Sequence, residues 1–129
     1  MILFLRILAV TILLVGISHL VLGVEAEAVL GAKLSNEILA DPSINSQNRF
    51  YGTSYMIYGI LLWVCAREMD RYDLIFKMLL AMTFVGGLTR ILSAALHGWP
   101  APTIIGLAVS ELVLPPLILL WQRRSRALS

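Results

Sequence analysis

Charge is scarce in this chain. Of its 129 residues, 14% are Asp, Glu, Lys or Arg, where a soluble domain carries about 25%. That leaves too little to build a water-facing shell. Cysteine is scarcer still: Cys65 stands alone, which excludes an internal disulfide and any multi-cysteine metal site. His19 and His97 are the only histidines, and no spacing motif makes them haem or metal ligands. No cofactor or metal is therefore expected. Nucleophile motifs, phosphate loops and dinucleotide fingerprints are missing. So is the polar–apolar alternation of membrane strands.

What the chain has is hydrophobicity, at 59% hydrophobic residues and a mean hydropathy of +0.85. Four apolar stretches run roughly over residues 7–24, 50–66, 74–96 and 102–121, each close to the about 17–25 helical residues that cross a bilayer. Lipid offers backbone groups no partner, so helices are the default. The expected fold is all-α: a four-transmembrane-helix bundle, one integral membrane domain over residues 1–129. Little lies outside the membrane except the connection between the first two spans, so there is no room for a soluble catalytic domain.

Basic residues set the orientation. One side holds Arg6, Arg67, Arg71, Lys77, Arg123, Arg124 and Arg126; the other holds Lys33 and Arg49. The positive-inside rule puts both termini in the cytoplasm. Trp63, Tyr72 and Trp121 then fall at the inner interface, and Trp99, Phe50 and Tyr51 at the outer one, as aromatic belts do. A competing reading makes the first span a cleaved signal peptide, with Ala26-Glu27-Ala28 as the site. Against it, the apolar run exceeds the about 7–15 residues of a signal core. The basic C-terminal segment reads as a topology anchor touching anionic lipid, not as a nucleic-acid patch.

The connections carry their own signals. Leu30, Leu34 and Ile38 recur at spacing four in the outer loop, which fits either a short interfacial helix or an irregular connector. Ser35 or Asn36 would cap its later turn, Asp41-Pro42 would end it, and Asn45 or Ser46 would cap the second span. Gly98 suits a helix C′ position and Pro102 a first helical turn, so the last two spans form a tight hairpin. Small residues mark contact faces: Gly16 and Gly23, Gly52 and Gly59, Gly86 with Ala94, and Gly106 with Ser110.

Two ionisable residues lie inside spans, Arg90 and Glu111, and a charge in hydrocarbon marks a candidate site unless it is paired. Counting about 1.5 Å per residue, they lie roughly 9 and 13 Å below the outer surface, within reach of each other. His19, Arg49, Tyr51 and Tyr55 fall in the same half. The expected site is thus an outer-half polar pocket of Arg90, Glu111, His19, Arg49, Tyr51 and Tyr55. Pro115 and Pro116 deprive the Glu111 and Leu112 carbonyls of their helical donors and should kink the last span. An Arg90–Glu111 pair that only fixes helix register is the competing reading of the same residues.

Asn48-Arg49-Phe50-Tyr51-Gly52, Tyr58-Gly59, Gly86-Gly87-Leu88-Thr89-Arg90, His97-Gly98-Trp99-Pro100, Glu111-Leu112 and Pro115 together resemble the bacterial "domain of unknown function 4345" family, small four-helix membrane proteins loosely related to the DoxX-like group. The resemblance covers nearly the whole chain. It implies a four-span bundle in a bacterial inner membrane, with Arg49, Gly52, Arg90 and Glu111 at the family's recurring polar and glycine positions, and it implies no activity. The function expected from the residues is a non-enzymatic one, with catalysis left open. The chain would bind membrane lipid, quinone or another amphiphile, or serve as a small subunit of a homo-oligomer or larger membrane complex. A proton- or ion-coupled carrier using Glu111 and a redox-accessory protein are the alternatives.

Overall fold

The computed structural model describes residues 1–127. Every regular element among them is a helix: α1 Ile2–Leu22, α2 Glu25–Val29, α3 Asn36–Ala40, α4 Pro42–Arg67, α5 Asp73–His97 and α6 Pro102–Ala127. Three of these, α1, α5 and α6, are long and apolar enough to cross a membrane. The fourth long helix, α4, falls short on composition. Three tyrosines, Thr53 and Ser54 dilute its apolar half, and its first turns run through polar residues 43–49.

The chain forms two compact units, one over Ile2–Glu68 and one from Met69 onward. In the first, α1 and α4 pack along their length. Glycine permits the closeness. A Cβ on Gly52 would lie 2.6 Å from the Leu20 nitrogen, one on Gly16 2.6 Å from the Met56 nitrogen, and one on Gly59 2.8 Å from the Ala9 carbonyl oxygen. Residues 9, 16 and 20 thus meet 59, 56 and 52, so the helices run antiparallel. Leu5, Ala9, Leu62 and Ala66 are buried. In the second unit α5 and α6 form a hairpin. Gly98, at φ 94°, ends α5 and donates its N–H to Ala94 O at 2.9 Å. Pro102 opens α6 where no helical N–H is needed.

Three local expectations change. Asp41-Pro42 ends the connector but also starts α4, eight residues before the apolar stretch. Asp41 Oδ1 accepts from Ser43 N at 2.7 Å and Ile44 N at 3.3 Å, with Pro42 in the first turn. Asn45 and Ser46 are therefore interior and cap nothing. The connector is two short helices, not one. Gly31 at φ 96° separates them, and Ser35 caps the second by accepting from Ile38 N at 3.3 Å. Gly23 does more than pack: at φ 62° it takes the left-handed turn after α1, its N–H bonded to His19 O at 2.8 Å, and a Cβ there would press on the Asn45 side chain at 2.7 Å. The helix α6 runs unbroken through Pro115 and Pro116.

Several hydroxyls on the long helices bond their own backbone. Thr11, Thr53, Ser54 and Thr83 each donate to the carbonyl four residues back, leaving no hydroxyl to seek water. Large apolar side chains, among them Leu14, Ile57, Met82, Leu92 and Leu117, point outward on all four long helices. Surfaces this apolar mark contact with lipid or protein.

Candidate functional site

Arg90 sits near the C-terminal end of α5 and Glu111 midway along α6, in the same unit. The Arg90 Nε–H donates to Glu111 Oε2 at 2.8 Å. Their side chains are 30% and 21% exposed, so the pair is sheltered yet reachable. The glycines beside it behave differently. Gly87 lets the helices close: a Cβ there would sit 2.8 Å from Leu112 Cγ and 3.1 Å from Glu111 Cβ. Gly86, one turn before Arg90, is uncrowded within the hairpin. Its Cβ would meet only Glu111 Oε2, at 3.9 Å, and one on Gly106 would meet nothing within 4 Å. Within this unit neither glycine is pressed against the other helix. A guanidinium and a carboxylate so placed can donate to one polar atom of a guest and accept from another.

The other expected site residues belong to the first unit, where most have structural work. Arg49 reaches back to the end of α1. Its Nη1 donates to the carbonyls of Leu20, at 2.5 Å, and Val21, at 3.2 Å, while Nε donates to Asn45 Oδ1 at 2.8 Å. A helix C-terminus leaves carbonyls without donors and carries partial negative charge, and Arg49 answers both. His19 is buried. Its Nδ1 lies 2.9 Å from Val15 O and its Nε2 3.5 Å from Glu27 Oε1. A carbonyl oxygen only accepts, so Nδ1 carries a proton. Tyr55 places its ring 5.8 Å from the His19 ring, tilted by 58°. Tyr51 is exposed beside Phe50, ring centroids 6.4 Å apart. No group of three or more His, Cys, Asp or Glu among the described residues is arranged to hold a metal ion.

Sequence reasoning missed Glu27 and Asn48. Glu27 belongs to α2 in the connector, and only the turn at Gly23 brings it to His19. Asn48 is buried on the glycine face of α4, one turn before Gly52, with its Oδ1 unpartnered. The spacing of residues 48 and 52 carried that signal, since it places Asn48 on the contact face.

No curated protein and no solved structure matches the chain. Residues 2–122, almost all of it, match the family described as "Domain of unknown function (DUF4345)", and the chain belongs to that family.

Proposed function

We propose that this chain is a four-span protein of the bacterial inner membrane, with cytoplasmic termini, that holds the polar head of a lipid, quinone or similar amphiphile at the Arg90–Glu111 pair. It does so without catalysing a reaction, alone or as a small subunit of a larger membrane complex. One observation carries the reading: a 2.8 Å ion pair, sheltered but accessible, on two helices apolar enough to cross a membrane, beside Gly86, where a Cβ would meet nothing of the hairpin closer than Glu111 Oε2 at 3.9 Å. In the four-span reading α4 supplies the remaining crossing, with its hydroxyls bonded to its own backbone and its glycine face against α1.

The test is native mass spectrometry with lipid extraction on gently solubilised protein. An amphiphile retained by the wild type and lost from Arg90→Gln and Glu111→Gln supports the reading. A protein that carries nothing, or whose adduct survives both changes, overturns it.

A further inference from the structure

A second polar feature lies at the opposite end of the α5–α6 hairpin, where α5 begins and α6 ends. There a cavity of about 310 Å³ is lined by Lys77, Leu119, Gln122, Arg123 and Arg126, a size typical of small-ligand clefts. One carboxylate holds two of its cations in place. Asp73 accepts from Lys77 Nζ at 2.7 Å, from Gln122 Nε2 at 3.0 Å and from Arg126 Nη2 at 3.0 Å. Arg126 also reaches the exposed Asp70 at 2.9 Å. Arg123 has no carboxylate partner among the described residues. Two carboxylates thus face three cations, and the cleft keeps a net positive charge. Gln122 is almost fully buried and fixes Asp73, so the carboxylate that positions Lys77 and Arg126 is anchored in the fold while the cations themselves are exposed.

We infer that this cleft binds the phosphate of an anionic membrane lipid, with Lys77, Arg123 and Arg126 as its donors. The location selects the occupant. On the membrane-spanning reading of α5 and α6, the cleft lies at headgroup depth, and the apolar faces beside it, including Leu74, Met78 and Leu120, are exposed to receive acyl chains. An arginine fork suits phosphate geometry, and lysine adds a point charge. This site shares no residue with the Arg90–Glu111 pair.

The test is native mass spectrometry of the full chain, titrated with phosphatidylglycerol or phosphatidylcholine, for wild type, Arg123→Gln, Lys77→Gln and Arg124→Gln. Arg124 is the control, since its loss removes the same charge from outside the lining. A basic residue near an anionic surface contributes enough to make removal worth about fivefold. The expected result is selective retention of phosphatidylglycerol, weakened about fivefold by Arg123→Gln and by Lys77→Gln and little by Arg124→Gln. Equal weakening by all three variants would mean diffuse attraction and would overturn the site, as would equal retention of the two lipids. Displacement of the lipid by inorganic phosphate at matched concentration would make the occupant a free anion and end the lipid assignment. A parallel flotation assay separates failures: protein that does not float with vesicles refutes the membrane reading itself, whereas floating protein without lipid preference refutes only the cleft.

Discussion

Replacing Gly52 by alanine should drive a wedge into the α1–α4 seam. The new Cβ would sit 2.6 Å from the Leu20 nitrogen, 2.7 Å from the Gly16 oxygen and 3.0 Å from the His19 carbonyl carbon. All three are backbone atoms in a regular helix, so none can swing aside as a side chain would. Moving the nearest out to 3.4 Å, where ordinary contact begins, requires the helices to part by about 0.8 Å. A gap of 0.5–1 Å forfeits roughly a quarter to a half of each contact's dispersion energy, and overpacking of this kind costs about 1–3 kcal/mol or more. Alanine returns up to about 1 kcal/mol through helix propensity. Gly86→Ala is the matched control: its nearest neighbour would be 3.9 Å away, so it keeps the propensity gain without the wedge. Reversible unfolding in mixed micelles, followed by helical circular dichroism, should place Gly52→Ala about 2 kcal/mol or more below Gly86→Ala. Equal stabilities would refute the close-packed seam.

Arg49→Ala should fray the last turn of α1, since charged hydrogen bonds of this kind contribute about 1.5–3 kcal/mol. Hydrogen exchange at Val21, Leu22 and Gly23 should accelerate, and Arg49→Lys should restore little because an ammonium cannot span the same acceptors; unchanged protection would remove Arg49 from its capping role. Arg90→Ala should destabilise the α5–α6 hairpin by on the order of 2 kcal/mol by stranding Glu111, whereas Arg90→Met with Glu111→Leu should be near neutral. Additive effects of the two single changes in a thermal melt would mean that the residues are not partners. Nitrogen-15 spectra of the His19 ring should show Nδ1 protonated, as its bond to Val15 O demands; a bare Nδ1 would contradict that geometry.

Much of the α5–α6 hairpin was legible because its signals are local. Gly98 and Pro102 act within one turn of where they stand, and Arg90 and Glu111 are opposite charges at matched depth on consecutive helices. The first unit was harder. Arg49 looked like a group at a pocket mouth, because its partners, the carbonyls of Leu20 and Val21, lie far back in the sequence and belong to the backbone. Glu27 was hidden for a similar reason, since its approach to His19 depends on the left-handed turn at Gly23. Asp41-Pro42 was read as a stop, yet the same pair that ends one helix satisfies the first turn of the next. Glycine by itself does not reveal what faces it: Gly87 and Gly86 are neighbours, yet a Cβ on Gly87 would press on Leu112 at 2.8 Å and one on Gly86 would make only an ordinary contact with Glu111 at 3.9 Å.

The claim that matters most is that Arg90 and Glu111 hold a guest and do more than hold each other. The double variant Arg90→Met with Glu111→Leu decides it, because the swap preserves bulk and removes both charges together. Purified from membranes beside the wild type, it should unfold at the same point and carry no amphiphile in the lipid extract. A double variant that keeps the same bound amphiphile would show that the pair only fixes the hairpin, and the proposed function would fall with it.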